Sequence, residues 1–285
     1  GLCAPEIHPG RALFASRRGL LTGEALSLPY LRHAELQRWT RRILAEVVPD
    51  KVIAFSGPMA QYVTGRIPRG TVAVFDMVDV DSEKWRSYSE RKPWPLSWLY
   101  RREADRLLTF ERRMAAEFDG TVFVSREEAD LFRRLAPESA HKTTYRIQGV
   151  DSHYFDPNTA YDNPYPDDAP ALIFTGAMDY WPNVDAVTWF ADSAFEAVRA
   201  VVPDALFCIV GRHPAAAVQK LAERPGIIVT GGVDDVRPYL AHARAAALTL
   251  RIARGIHFAR AEVDLEGGNA EQRALRRADL GGEIG

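Results

Sequence analysis

Apolar positions along the chain fall into two alternating patterns. Short runs of consecutive apolar residues have the length of buried strands: Val52–Phe55, Thr71–Phe75, Thr121–Val124, Thr143–Ile147, Ala171–Thr175, Ala205–Val210, Gly226–Thr230 and Ala245–Leu250. Between them, apolar residues recur every three or four positions. Leu36, Trp39, Ile43 and Val47 make one such stripe, and Leu107, Phe110, Met114 and Phe118 another. Val184, Val187, Ala191, Ala194, Phe195 and Val198 make a third. The spacing predicts helices over Leu31–Val48, from Ser56-Gly-Pro58 to Val63, from Glu83, over Ser97–Phe118, after Ser125, from Asn183, around Val218 and Leu221, and over Asp234–Ala241. Arg and Glu three or four apart on Ser97–Phe118 read as a solvated, ion-paired face. Residues Gly1–Pro29 show no sustained period and read as loop, with a short helix near Ala12.

Strand alternating with helix predicts an α/β protein with parallel sheets and helices on both faces. Gly149–Pro170 interrupts the alternation with Pro157, Pro164, Pro166, Pro170 and several Asp and Asn, the composition of a linker. The expected organisation is therefore a first domain over 1–150, a linker over 151–170 and a second domain over 171–256. An irregular tail follows over 257–285.

Composition narrows the class little. The 285 residues are 47% hydrophobic and 26% charged, as in soluble globular proteins, and suffice for two domains. A formal net charge of −2 gives no electrostatic case for nucleic-acid binding. The two cysteines, Cys3 and Cys208, offer neither zinc spacing nor a disulfide framework, which fits a reducing cytoplasm. No apolar run approaches the roughly 20 residues needed to span a bilayer, and no signal peptide is visible. The chain opens at Gly1 without Met, as a fragment or a processed chain would.

Three stretches carry candidate chemistry. In Ala171–Asn183 a strand ends at Gly176 and a helix follows. A helix N-terminus offers free N–H groups and the positive dipole end to a phosphate, although glycine also ends strands for turn geometry alone. Gly211 and Gly231 end the next two strands, and Gly255 follows a fourth. Together the turns read as the floor of a nucleotide site at one end of a parallel sheet. Second, Thr71–Phe75 runs into Asp76, Asp79 and Asp81. Asp81 and Ser82 suit a cap on the next helix, whereas Asp76 and Asp79 stand beyond a strand's carboxyl end without that explanation. Third, Trp85–Arg102 interleaves Trp85, Tyr88, Trp94, Trp98 and Tyr100 with five cations, broken by Pro93 and Pro95. It reads either as aromatics covering the sheet beneath solvated cations or as a peripheral membrane contact.

Phe174-Thr-Gly-Ala-Met-Asp-Tyr-Trp-Pro-Asn-Val-Asp-Ala186, Ile209-Val-Gly211 and Val229-Thr-Gly231, with Val233 and Asp235-Val-Arg-Pro-Tyr-Leu240, resemble the C-terminal half of a family-4 glycosyltransferase of the GT-B fold. The resemblance is nearest to the sugar transferases of the PEP-CTERM, exosortase-associated systems of exopolysaccharide synthesis. Phe123-Val-Ser125, Gly149-Val-Asp151, Tyr154-Phe155 and Asp76–Trp85 extend it over residues 20–256. It implies two Rossmann-like domains facing a cleft, the second holding a UDP- or GDP-sugar donor and the first a glycan or lipid-linked acceptor. It implies no metal and no cofactor, because such enzymes stabilise the leaving diphosphate with backbone N–H groups and basic side chains. The expected location is cytoplasmic, with the inner face of the cell membrane as the alternative setting.

Carried onto this chain, the resemblance places Gly176, Asn183, Gly211 and Gly231 at the donor, and Asp79 or Asp76 near the reacting hydroxyl; Arg212, Arg251 and Arg254 are the nearest cations by position for the phosphates, with a plain surface role as the alternative for each. Three departures stand against it. Many relatives have Arg after the first glycine and Lys at the helix start, where this chain has Ala177 and Asn183. After Ile256 the chain reads His257-Phe-Ala-Arg-Ala-Glu262 instead of the family's helix with its acidic donor contact, as a truncation or altered frame would give. The family's first strand and Gly-rich loop have no counterpart. Both domains are thus expected to be incomplete, and the isolated chain to be poorly soluble or partly unfolded, and inactive. The alternative is a non-catalytic remnant or nucleotide-binding protein. A sugar-nucleotide epimerase fits less well, since no Gly-x-Gly-x-x-Gly follows a strand.

Overall fold

The computed structural model describes residues 1–166 and 169–250. The chain divides after Gln148 into a unit Gly1–Gln148 and a unit beginning at Gly149. Each is built on a four-stranded, all-parallel sheet, so the chain is an α/β protein of Rossmann-like architecture.

In the first unit the strands β1 (Lys51–Phe55), β2 (Val72–Val78), β3 (Gly120–Phe123) and β4 (Thr143–Tyr145) pair in chain order. Between them lie a 3-10 turn Gly57–Tyr62, helices α5 (Asp81–Glu90) and α6 (Leu96–Glu117), and α7 (Arg126–Leu135). A parallel crossover is right-handed almost without exception, so crossovers that all step the same way stack on one side of the sheet. Ala54, Phe75, Met77 and Phe123 accordingly pack against Leu107, Phe110 and Met114 of α6 and Phe132 of α7. The alternate residues face away. Ile53 is 69% and Phe55 59% exposed, and Val72 beside them is exposed too. Helices on both faces, expected from the alternation of elements, are therefore not found here. The strand order supplies no crossover in the opposite sense.

The second unit differs in that respect. The order is β7 (Ile227–Gly231), β6 (Leu206–Val210), β5 (Ala171–Thr175), β8 (Ala245–Ala246). The steps β5 to β6 to β7 carry α8 (Trp181–Ser193), α9 (Phe195–Val201) and α10 (Ala216–Leu221) on one face, against Phe174, Phe207 and Ile209. The return to β8 carries α11 (Arg237–His242) over the other, where Val236, Tyr239 and Leu240 cover Ile173, Cys208 and Val210. Tyr165, in the stretch expected to be linker, joins that second layer and donates its hydroxyl to Tyr239 O at 2.7 Å. His242 Nε2 meets Tyr161 O at 2.8 Å, and the Arg237 guanidinium lies 3.9 Å from the Tyr154 ring centroid. Residues 154–165 are thereby tied to the second unit.

Several local expectations need correction. Gly1–Pro29 contains α1 (Pro9–Ser16), α2 (Arg18–Thr22) and α3 (Ser27–Tyr30) rather than a single short helix in loop. Helices this short are not stable alone. They are held by α6, where Arg102 donates to Gly19 O and Glu24 O and the Glu103 carboxylate takes the N–H groups of Leu26 and Ser27. The polar face of α6 is thus not wholly solvated, since Glu103 and Glu111 are buried. Asp81 is the first residue of α5, not its cap, and pairs with Lys84 at 3.0 Å. α8 starts at Trp181, two residues before Asn183. α11 starts at Arg237, with Asp235 rather than Asp234 accepting its N–H. The last described strand is only Ala245–Ala246. The expected tail, 257–285, lies outside the described residues.

Glu111 accepts from Ser82 N (3.0 Å) and Ser82 Oγ (2.5 Å) at the start of α5. Burial pushes its carboxyl up from 4.5 to about 8, with the nearby Asp81 and Glu83 charges adding to the rise and the Ser82 bonds opposing it. The folded chain therefore holds a proton that the unfolded chain releases above the ordinary value of 4.5. Stability should fall as pH rises from there to about 8 and level off beyond. Glu111→Gln should flatten that fall in urea melts taken across the window. An unchanged slope would show that Glu111 is ionised in the fold.

Candidate functional site

The second sheet contains the one reversal of strand order among the described residues, between β5 and β8. In open parallel sheets, the loops leaving two such neighbouring strands part to opposite faces. The crevice beyond their carboxyl ends is the usual ligand position. β5 ends at Thr175, and the Gly176–Tyr180 turn leads from that position into α8. The chain leaving β8 is held to β5 and to α8: Ala247 N–H bonds Ile173 O at 2.8 Å, and Thr249 Oγ1 donates to Ala186 O of α8 at 3.1 Å.

Gly176, Gly211 and Gly231 stand at the ends of three adjacent strands, as their positions in the sequence implied. Their role differs from an open phosphate cradle. Gly176 N–H donates to Val210 O (3.1 Å) and Gly211 N–H to Gly231 O (3.0 Å), so both amides continue the sheet's ladder. A Cβ on Gly211 would overlap the Gly176 carbonyl outright, and one on Gly176 would lie 2.6 Å from Asn183 Nδ2. The first two glycines let the β5 and β6 turns pack against each other. Met178 N–H to Arg212 O (2.9 Å) and Ala215 N–H to Met178 O (3.0 Å) lock the pair. Asn183 is buried, and its side-chain amide donates to Ala177 O at 3.0 Å, closing the turn onto the first turn of α8.

What remains for an anion at this edge is the dipole of the 13-residue α8, which has no side-chain N-cap. Arg212 is exposed, with its methylenes over Gly232, where a Cβ would come within 2.8 Å of Arg212 Cγ. The neighbouring His213 holds a left-handed backbone at φ 56°, which a non-glycine residue adopts at a cost. Arg251 and Arg254 lie outside the described residues.

Asp76 and Asp79 belong to the first unit, at the carboxyl end of β2. Val78 between them sits at φ 68°, a rare conformation for a β-branched residue. The turn is fixed from several sides. Asp76 Oδ1 accepts from Val78 N (3.2 Å), the Glu128 carboxylate accepts from Val80 N (2.7 Å), and Glu111 holds Ser82. Ser125 and Glu128, three residues apart at the start of α7, have the spacing of a capping box. Ser125 Oγ does accept from Glu128 N (3.2 Å), but the carboxylate reaches back to the Asp79 turn. A carboxylate three residues after a serine gives no signal of that second task. Among the described residues no group of three or more His, Cys, Asp or Glu side chains could hold a metal ion. No helix there is long and apolar enough to cross a membrane.

Gly211→Ala tests the close packing of the two turns. The overlap should destabilise the second unit by roughly 1–3 kcal/mol, lowering its melting temperature by several degrees. An unchanged thermal melt would mean that the turns stand further apart.

Residues 169–263, a third of the chain, match the family described as glycosyl transferases group 1. No curated protein matches the sequence significantly. Among solved structures, the chain is similar to a UDP-forming α,α-trehalose-phosphate synthase from Burkholderia xenovorans. The TM-score is 0.53 at 10% identity, covering 88% of this chain and 67% of that one. It is also similar to the α,α-trehalose 6-phosphate synthase from Burkholderia multivorans. There the TM-score is 0.51 at 13% identity, covering 83% of this chain and 62% of the other. The chain thus spans about two thirds of the length of either synthase. At such identities the likeness shows a shared fold, the two-domain GT-B architecture, and the family match over the second sheet supports sugar transfer.

Proposed function

We propose that this chain is a glycosyltransferase. It moves a sugar from a nucleotide-sugar donor, a UDP- or GDP-sugar, to a glycan or lipid-linked acceptor in exopolysaccharide biosynthesis at the inner face of the cell membrane. The observation that carries the reading is the coincidence of three things at one sheet edge. The glycine-ended strands, the reversal of strand order and the family match all fall on the stretch that begins at Ala171. The UDP-forming synthase among the similar structures supports a nucleotide diphosphate as the leaving group.

On this reading the diphosphate lies against the first turn of α8. Arg212, Arg251 and Arg254 neutralise the charge that develops as the sugar departs, a task that needs neither metal nor cofactor. Gly176, Gly211 and Gly231 shape the floor, and Asn183 keeps its first turn closed. Asp79 or Asp76, at the carboxyl end of β2, accepts the proton of the attacking hydroxyl. One observation favours a non-catalytic nucleotide-binding protein instead: Ala177 and Asn183 leave the first turn without a cation.

The test is a thermal-shift titration with free UDP and GDP, followed by a turnover panel of UDP-, GDP- and ADP-sugars. Stabilisation by one nucleotide with turnover of its sugar supports the transferase. Stabilisation without turnover supports the binding protein, and neither response sinks both. Where turnover is found, Asp79→Asn should lower it about 10²–10⁴-fold with nucleotide affinity unchanged. Arg212→Ala should weaken nucleotide binding about tenfold by removing a charge-assisted phosphate contact.

A further inference from the structure

The aromatic and basic stretch Trp85–Arg102 separates into two groups. Trp85, Tyr88 and Tyr100 pack on one another, with ring centroids 5.2–6.5 Å apart, and Trp85 also lies against the first unit's core. Trp94, Leu96 and Trp98 turn outward and are 80%, 43% and 56% exposed. Leu96 and Trp98 lie in the first turn of α6, and Trp94 in the connection that joins α6 to α5. It is pinned by Arg91 N–H to Tyr88 O (3.2 Å), Ser97 N–H to Pro93 O (3.1 Å) and Leu99 N–H to Pro95 O (3.1 Å). The aromatic cluster forms a firm base beneath a short projection. Arg91 and Arg101 are exposed on either side of it, with Lys92 half-buried and Glu90, the only acidic residue of 90–102, also exposed.

We propose that the projection Arg91–Arg101 docks the first unit onto an anionic lipid surface. Two large indoles held in water are unfavourable, and their amphipathic rings suit the headgroup boundary of a bilayer, where the ring is buried and the N–H stays wet. Trp98 and Arg101 are three apart and share one face of α6, so an indole and a guanidinium reach the same plane. An excess of cations around an apolar tip complements acidic headgroups, and the attraction weakens as salt is added. The other side of α6 is already occupied, since Arg102 and Glu103 hold the N-terminal helices there. The surface extends the reading of a lipid-linked acceptor, but its test involves no sugar chemistry and so fails or succeeds separately.

The experiment is co-sedimentation of the full chain with vesicles of phosphatidylcholine alone and of phosphatidylcholine mixed equally with phosphatidylglycerol. The chain should bind the mixed vesicles, release them at high salt and ignore the neutral ones. Its tryptophan emission should shift to the blue on binding. Trp94→Ser with Trp98→Ser, confirmed to keep the parent's thermal melt, should weaken binding about tenfold or more. Arg91→Glu with Arg101→Glu should weaken it without altering the free chain's emission. Equal binding by parent and variants, or none to mixed vesicles, would overturn the proposal. So would self-association of the parent that the serine variant abolishes while vesicles are ignored.

Discussion

The right-handedness of parallel crossovers decides where every layer of this protein lies. In the first unit each strand is laid down on the same side of its predecessor, and all the intervening helices fall on one face. In the second unit the chain reverses after β7, crosses back over two strands and adds β8 beside β5. That reversal puts α11 on the far face, gives the sheet a second cover and marks the end of β5 as the usual ligand position. The candidate donor site is therefore a product of topology first. The glycines and the helix dipole act on a position that the strand order had already selected.

Steric exclusion then shapes the crevice floor. Gly176 and Gly211 bring two turns into direct contact, and Asn183 fastens the first to α8. A floor built in this way is stiff, but it supplies little charge. The cations that a leaving diphosphate needs must arrive on side chains from other loops. A parallel arrangement holds the acidic turn after β2. There the left-handed Val78 is kept in place by carboxylates from α6 and α7, which receive backbone N–H groups of the Val80–Ser82 segment. In both units the position is rigid because neighbouring elements, more than the loop itself, satisfy its polar groups.

Much of this was legible in the sequence, for a definable reason. Buried parallel strands read as unbroken apolar runs, and the glycine after each marks its end, so the strands carrying Gly176, Gly211 and Gly231 could be placed from residues 171–232 alone. The strand partner of β5 could not, because no local pattern encodes that β8 returns to lie beside it. Of the N-terminal helices α1 was legible near Ala12, but α2 and α3 are too short to show a period, and they are held by Arg102 and Glu103, more than seventy residues away. Glu103 and Glu111 looked solvated because charge spacing on a helix does not reveal which acidic residues meet backbone donors from another segment. The Trp85–Arg102 stretch was ambiguous as a unit because its aromatics divide between a packed cluster and an exposed tip.

The bare face of the first sheet has a thermodynamic consequence. Ile53, Phe55 and Val72 are already hydrated in the native state, so unfolding adds less new apolar surface there than in a sheet covered on both sides. The heat capacity of unfolding grows by about 0.45 cal/K/mol for each Å² of apolar area newly exposed. The first sheet should therefore contribute less curvature to its unit's stability profile than the doubly covered second sheet does to its own. On cooling, the second unit should lose its hydrophobic advantage more steeply, and the first should change more gently over the same range.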